Sequence, residues 1–193
     1  ASQNGHVEVV RLLIDAGALI NQAMNDGVTP LYVASQNGHV DVVCLLIDAG
    51  ALINQARNDG VTPLFMASQN GHVDVVRLLI DAGALINQAR NDGVTPLFMA
   101  SQNGHVDVVR LLIDAGALIN QANNDGATPL LIASEKGQVE VIRVLIDAGA
   151  LINQAMNNGM TPLWVASQNG HLAIVRYLIL HGSGMEQPDN QGR

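Results

Sequence analysis

Residues Asn58 to Arg90 read Asn-Asp-Gly-Val-Thr-Pro-Leu-Phe-Met-Ala-Ser-Gln-Asn-Gly-His-Val-Asp-Val-Val-Arg-Leu-Leu-Ile-Asp-Ala-Gly-Ala-Leu-Ile-Asn-Gln-Ala-Arg. Near-copies of this stretch fill the chain in both directions. The Thr-Pro pair returns every 33 residues without insertion, at Thr29, Thr62, Thr95, Thr128 and Thr161. A fixed period of this length predicts a stack of repeats, each of which buries its apolar face against its neighbours.

The period divides the chain into one partial and five whole repeats. Residues 1–23 match the last two-thirds of a repeat, and whole repeats follow at 24–56, 57–89, 90–122, 123–155 and 156–188. Residues 189–193 resemble the opening of a further repeat. Polar capping repeats normally close such arrays, and neither end has one. We therefore expect a single array over 1–193, which is either a fragment of a longer array or a chain whose natural ends lie outside this sequence.

Local signals predict two helices in each repeat. Thr62 suits an N-cap and Pro63 the first helical position, so the first helix is predicted at about 63–70. The second helix is predicted at about 73–82, and Gly71 and Gly83 are placed to end the two helices. Residues 84–89 should be extended and form a hairpin-like finger with the next turn. The fold class is therefore all-α, a solenoid of helix-turn-helix-finger units with short β-hairpin fingers.

The apolar positions of this repeat predict its core, which we expect to contain Leu64, Ala67, Val76, Leu78, Leu79 and Ile86. Asp74, Arg77 and Asp81 share one face of the second helix, and we expect that face to be exposed to solvent. Cys44 takes the position of Arg77 in its own repeat, so an exposed free thiol is predicted.

Composition limits the possible partners. The net charge of −8 disfavours nucleic acid and anionic membrane surfaces as partners. Apolar runs such as Leu78-Leu79-Ile80 are far shorter than the ~20 residues that span a bilayer. The single cysteine excludes an internal disulfide and favours an intracellular, cytoplasmic location.

The repeated histidines could suggest a metal site, but their spacing argues against it. They recur at the start of the second helix, at His6, His39, His72, His105 and His171, with Gln138 in one repeat. Equivalent residues of stacked repeats lie ~10 Å apart, whereas zinc ligands lie ~2 Å from the ion. We interpret these residues as structural and expect neither a metal nor a cofactor.

The acidic and hydroxyl residues do not form a catalytic arrangement either. Asp26, Asp59, Asp92 and Asp125 form a row whose gaps are too wide for a retaining carboxylate pair at ~5 Å. An inverting pair tolerates ~9.5 Å, but it needs a closed pocket that an open array lacks. Serines such as Ser68 have no acid–base partner at a triad spacing. We predict that the chain is not an enzyme.

The patterns Asp-Gly-x-Thr-Pro-Leu, Ala-Ser-x-x-Gly-His and Gly-Ala-x-Ile-Asn closely resemble the ankyrin repeat over essentially the whole chain. The resemblance implies a solenoid with a concave groove that binds other proteins. It also raises hydroxylation of Asn54, Asn87 or Asn120, which is disfavoured because leucine replaces the acid that precedes such asparagines.

The chain departs from the family pattern at three positions. The usual histidine after Thr-Pro-Leu is replaced by Tyr32, Phe65, Phe98, Leu131 and Trp164. The usual aspartate after Gly-Ala is replaced by Leu19, Leu52, Leu85, Leu118 and Leu151. The usual aspartate at the repeat opening is replaced by Met24, Arg57, Arg90, Asn123 and Met156. The aromatic position is either better packed or an added contact surface.

By the family's geometry, the groove is lined by finger tips and the inner faces of the first helices. The residues predicted to bind a protein or peptide partner are Asn25, Asp26, Val28, Gln36, Asn37, Asn58, Asp59, Val61, Gln69, Asn70, Asn91, Asp92, Val94, Gln102, Asn103, Asn124, Asp125, Glu135, Lys136, Asn157, Asn158, Met160 and Trp164. Such a ladder of amides suits an extended or repetitive partner, although recent duplication alone would also produce it.

Two further features are candidate contacts. Trp164 with Met156 and Met160 could anchor a partner near the C-terminal end, the alternative being that Trp164 packs in the core. Leu52, Leu85 and Leu118 form either an apolar strip for a partner or for weak self-association, or a set of leucines that tuck against the next finger.

Two functions agree with the sequence. The first is a non-catalytic scaffold that binds a partner protein through the groove and finger tips. The second is an interaction segment of a larger enzyme, channel or effector whose activity lies outside these residues.

Overall fold

The computed structural model describes residues 1–184. The chain divides into two compact units, Ala1–Asn91 and Asp92–Arg193, and the boundary falls inside the repeat at 90–122. The predicted opening of a further repeat at 189–193 lies outside the described residues.

The first unit stacks helices in two layers. Its elements are a short 3-10 helix Ser2–Asn4, α1 Val7–Asp15, α2 Pro30–Gln36, α3 Val40–Asp48, α4 Pro63–Asn70 and α5 Val73–Asp81. The inner helix α2 packs against α4, and the outer helix α3 packs against both α1 and α5. Each inner helix also packs on the outer helix of its own repeat, so the core lies between the layers.

The described part of the second unit repeats this arrangement. Its helices are α6 Pro96–Asn103, α7 Val106–Asp114, α8 Pro129–Lys136, α9 Val139–Asp147, α10 Pro162–Gln168 and α11 Leu172–Leu180. The inner helix α8 packs against α6 and α10, and the outer helix α9 packs against α7 and α11. Helix pairs spaced by one repeat therefore build both units.

Capping residues set the helix boundaries as predicted. The Oγ1 atom of Thr62 accepts a hydrogen bond from the N–H of Phe65 at 3.1 Å, and Pro63 opens α4. Gly71 follows the helix with a φ of 75°. The predicted spans of about 63–70 and 73–82 correspond to the observed α4 and α5.

The core agrees with the prediction at four of its six positions. Leu64, Ala67, Val76 and Leu79 are buried, as is Val75, which the sequence analysis did not single out. Leu78 is only half-buried because the buried face of α5 is centred on Val75, Val76 and Leu79, and Leu78 lies at its border. Ile86 is also half-buried, since it lies in the connection that follows the outer helix.

The residues that replace the family's histidine are packing residues in four of five repeats. Tyr32, Phe65, Phe98 and Leu131 are all buried on the inner helices. Trp164, at the same position of α10, is half-buried. Better packing, rather than an added contact surface, is therefore the outcome for the first four.

The fingers differ from the predicted β-hairpins. No β-strand is assigned within residues 1–184. In the finger that precedes α4, the N–H of Arg57 bonds to the carbonyl of Val61 at 2.9 Å, and Gly60 N–H bonds to Arg57 at 2.8 Å. A tight turn with a single closing pair leaves no further residues to form a ladder.

Candidate interaction surface

Polar residues occupy the exposed tips of the fingers in both units. In the first unit, Asn25, Asp26, Asn58 and Asn91 are exposed and Asp59 is half-buried. In the second unit, the exposed tip residues are Asp92, Asn124, Asp125, Asn157 and Asn158. The structure thus leaves these predicted partner-binding residues accessible.

Two of the three valines assigned to this surface are core residues instead. Val61 is 1% and Val94 is 4% exposed, whereas Val28 is half-buried. The pairing of the Val61 carbonyl with Arg57 turns the chain back toward the helix, so the valine side chain enters the core. The prediction that Val61 and Val94 lie on a binding surface is therefore wrong.

The finger tips are joined by hydrogen bonds between successive repeats. In the first unit, Asn58 N–H donates to the carbonyl of Asp26 at 2.9 Å, and Asn58 Nδ2 donates to the carbonyl of Asn25 at 3.2 Å. In the second unit, Asn157 forms the same pair with Asp125 and Asn124, both at 2.9 Å. The side-chain amides of these asparagines therefore donate hydrogen bonds within the stack. Part of the predicted ladder of amides thus holds successive repeats together.

The tip acids shape the turn that holds them. The Oδ1 atom of Asp26 accepts from Val28 N–H at 3.1 Å. Asp59 and Asp92 make the corresponding bond two residues on, each at 3.2 Å. Asn158 replaces the acid in its repeat and keeps the bond, accepting from Met160 N–H at 3.1 Å. An uncharged acceptor therefore serves at this position as well as a carboxylate does. In the repeat at 123–155 the turn is held differently, because Asn123 Oδ1 accepts from Ala127 N–H at 2.8 Å.

The ends of the inner helices are also tied to the next repeat. The backbone carbonyl of Gln36 accepts from Asn70 Nδ2 at 2.7 Å and from His72 Nε2 at 3.0 Å. His171 makes the same contact with the carbonyl of Glu135 at 2.9 Å. Gln138 replaces the histidine and donates to Gln102 at 3.0 Å. The recurring histidine is therefore a connector between repeats.

The polar side chains at these helix ends form the second part of the predicted surface. The exposed ones are Asn37, Asn70, Asn103 and Lys136. Those that are half-buried are Gln36, Gln69, Gln102 and Glu135. Lys136 forms an ion pair with Glu135, with 2.8 Å between Nζ and Oε1.

Arginines at the repeat openings cover aromatic rings of the preceding repeat. The Arg57 guanidinium lies 5.8 Å from the Tyr32 ring centre and forms an ion pair with Asp59. Hydrogen bonding to Arg57 lowers the pKa of the Asp59 carboxyl. Arg90 lies 5.6 Å from the Phe65 ring centre in the same way. This contact was not predicted, although in both cases the repeat before the arginine carries an aromatic residue in its inner helix.

The C-terminal candidates are partly accessible. Trp164 is half-buried on α10, and its backbone N–H donates to Thr161 Oγ1 at 3.3 Å. Met156 and Met160 are also half-buried. Part of the indole therefore remains available to a partner.

The leucines after each Gly-Ala pair point into solvent. Leu52, Leu85 and Leu118 are each 58% exposed, and Leu19 and Leu151 are exposed as well. The following residue, for example Ile53, is half-buried. The alternative in which these leucines tuck against the neighbouring finger is therefore wrong.

Metal-ligating side chains are scattered over the described part of the chain. Within residues 1–184, no three His, Cys, Asp or Glu side chains lie close enough together to hold one. In the same part of the chain, no helix is both long and apolar enough to cross a membrane. Cys44 is a free, half-buried cysteine.

The repeat length, the paired helices and the hydrogen-bonded fingers agree with one known family. A family model for ankyrin repeats, in three copies, matches residues 1–57, 49–123 and 116–189. The chain belongs to the ankyrin-repeat family. No curated protein matches it. Ankyrin repeats are generally modules for protein–protein interaction.

Proposed function

We propose that this ankyrin-repeat chain is a non-catalytic protein-binding module. In each unit, an extended segment of the partner lies across the finger tips and the C-terminal ends of the inner helices. The observation that carries the proposal is the hydrogen-bonded row of tips, in which Asn58 N–H bonds to Asp26 and Asn91 N–H to Asp59, both at 2.9 Å.

The row favours binding because its geometry is fixed before a partner arrives. Each tip is tied to the preceding one through backbone atoms, so little loop freedom is lost on association. The side chains that remain exposed on this frame include Asn25, Asp26 and Asp125. Two of these three are carboxylates, so the matching groups on the partner are hydrogen-bond donors.

The half-buried Trp164 supplies an apolar anchor on the second unit. An aromatic residue that is partly covered by its own protein loses little entropy when a partner covers the rest. We infer that Trp164, with Met156 and Met160, contributes a binding hot spot. Trp164→Ala should weaken partner binding about tenfold or more while circular dichroism reports an unchanged helix content.

The test is a matched charge reversal on the second unit. Asp125 is exposed at a finger tip, and Asp107 is exposed in the first turn of the outer helix α7. Proteins captured from a lysate by the wild-type chain are identified, and the affinity of the isolated partner is then measured. Asp125→Arg should weaken binding about tenfold or more, whereas Asp107→Arg should leave it within about twofold. Equal effects of the two variants would exclude the finger tips as the binding surface.

A further inference from the structure

A row of exposed leucines marks one edge of the first unit. Leu19, Leu52 and Leu85 occupy the same position in successive repeats, and all three are exposed. Single exposed leucines are common on protein surfaces, but exposed leucines repeated along one edge are a feature of interaction sites. This edge is separate from the finger tips of the proposed function.

The backbone of the leucine row is fixed. Asn21 Oδ1 accepts from the N–H of Leu52 at 2.8 Å, and Asn54 Oδ1 accepts from the N–H of Leu85 at 2.8 Å. The same asparagines donate through Nδ2 to the carbonyls of Gly50 and Gly83, both at 3.2 Å. The spacing of the leucines along the edge is therefore fixed before a partner binds.

An open depression lies beside the leucine in two successive repeats. One has a volume of about 350 Å³ and is lined by residues 19–23. The other has a volume of about 540 Å³ and is lined by residues 51–55 with Ala82 and Gly83. Both depressions are shallow and border the same position of their repeats, so these two repeats each offer a place for one apolar side chain.

A row of carboxylates accompanies the leucines. Asp15, Asp48 and Asp81 end the outer helices α1, α3 and α5, four residues before each leucine, and all three are exposed. Within residues 1–184, none of them has an ion-pair partner. A negative charge at a helix C-terminus is locally unfavourable, and no basic residue offsets it in the last turn of these helices. A basic partner would relieve this repeated excess of negative charge.

We propose that this edge, formed by Leu19, Leu52 and Leu85 with Asp15, Asp48 and Asp81, docks a basic, extended segment of a partner protein. The segment carries an apolar residue at every third position and Lys or Arg between them. The apolar side chains enter the depressions, and the cations lie along the aspartates.

The repeat spacing selects the conformation of this segment. Packed helices of neighbouring repeats lie about 10 Å apart. A polyproline II helix has three residues per turn and a rise of about 3.1 Å per residue, so one face recurs about every 9 Å. In a β-strand, residues three apart point to opposite faces. A polyproline II segment therefore places a side chain in each successive depression, and a strand does not.

Charge makes a second copy of this chain a poor occupant. A two-fold contact through the leucines would bring the aspartates of one copy against those of the other. Both copies also carry a net charge of −8. The same carboxylates that favour a cationic segment thus oppose self-association along this edge.

The first experiment uses a designed peptide of roughly four tandem Leu-Pro-Lys triplets, labelled with fluorescein, because proline favours polyproline II geometry. Fluorescence anisotropy should show saturable binding to the wild-type chain. The matched peptides replace every Leu with Ser or every Lys with Glu, and each should bind about tenfold or more weakly. Equal binding by the Ser peptide would reduce the interaction to charge alone and overturn the proposal.

The second experiment locates the site with paired variants. Leu52→Ser with Leu85→Ser, and separately Asp48→Asn with Asp81→Asn, should each weaken binding about tenfold or more. Asp41→Asn with Asp74→Asn removes the same charge from the N-terminal ends of the same two helices and should leave binding within about twofold. If this control pair weakens binding as much as the Asp48 and Asp81 pair, the proposed edge is wrong. Circular dichroism verifies that every variant remains folded.

The third experiment separates this edge from its alternative occupant and from the finger-tip surface. If sedimentation shows a concentration-dependent dimer that the Leu52 and Leu85 variant abolishes, a second copy occupies the edge and the proposal is overturned. Asp125→Arg should leave peptide binding unchanged, because the finger tips belong to the other proposed surface.

Discussion

The side-chain oxygen of Asn54 accepts a hydrogen bond from the backbone N–H of Leu85, 31 residues later, at 2.8 Å. The Nδ2 atom of the same asparagine donates to the carbonyl of Gly83 at 3.2 Å. One amide thus satisfies two backbone groups where the chain leaves the outer helix of the next repeat. The contact thus joins two repeats and holds the backbone of Leu85 in place, while the side chain of Leu85 remains exposed.

Asn54→Ala should lower the free energy of unfolding by about 1–3 kcal/mol, because it leaves the N–H of Leu85 and the carbonyl of Gly83 without their partner. Urea unfolding followed by circular dichroism measures the change. Asn25→Ala is the control, since Asn25 is exposed and its side chain makes no hydrogen bond within residues 1–184. An equal change in both variants would contradict the role of Asn54 as a connector.

Alanine substitutions at Gly38 and Gly50 distinguish backbone strain from a steric clash. Both have positive φ, 73° and 86°, so alanine is strained at either position. A Cβ atom at Gly38 would lie 2.6 Å from Nδ1 of the His72 ring, whereas a Cβ atom at Gly50 would have no atom within 4 Å beyond those of its own residue and its chain neighbours. Gly50→Ala should cost about 1 kcal/mol and Gly38→Ala clearly more. Equal midpoints in urea would contradict the contact with His72.

His72→Gln should leave stability within about 0.5 kcal/mol of the wild type, because glutamine preserves the hydrogen bond between repeats. Gln138 already makes this bond in another repeat, with Nε2 donating to the carbonyl of Gln102 at 3.0 Å. His72→Leu, which keeps the bulk but loses the donor, should cost about 1 kcal/mol. Thermal unfolding of the three proteins tests the difference, and a loss with glutamine equal to that with leucine would refute it.

Tyr32→Phe should stabilise the fold by about 1 kcal/mol. Within residues 1–184, the buried hydroxyl of Tyr32 has no hydrogen-bond partner, and Phe65 and Phe98 occupy the same position in the next two repeats. Burial raises the pKa of the Tyr32 hydroxyl above its usual value of 10.0. The folded state therefore favours the neutral phenol, and this part of the stability is lost as the pH rises above about 10.

Unfolding of Tyr32→Phe and wild type in urea between neutral pH and about pH 11 tests both parts of this prediction. The wild type should lose more stability over the alkaline range. Tyr177→Phe is the control, because Tyr177 is not among the buried hydroxyls that lack a partner. A wild type that is more stable than Tyr32→Phe at neutral pH would contradict the unsatisfied hydroxyl.

The repeat length and the helix boundaries were predictable from the sequence, because they depend on local chemistry, and the repeated motifs carried the resemblance to the family. Thr62 caps its own helix three residues away, and Pro63 has its φ fixed by its own ring. The same threonine and proline recur in every whole repeat, so helix boundaries that are predicted correctly in one repeat are correct in the others. The buried position of Leu64 was also open to such reasoning, because the helical period sets it. The position of Leu85 was not, because it lies in a turn in which the N–H of Gln88 bonds to the carbonyl of Leu85.

The partners of the polar side chains, in contrast, depend on how the repeats pack against one another. Asn54, Asn58 and His72 bond to groups about one repeat away, and local sequence does not show whether an amide faces a partner or the next repeat. The same holds for Val61, which was predicted to lie on the binding surface but is buried in the core. Buried donors and acceptors must be paired, so the packing of adjacent repeats decides which of these groups remain exposed for binding.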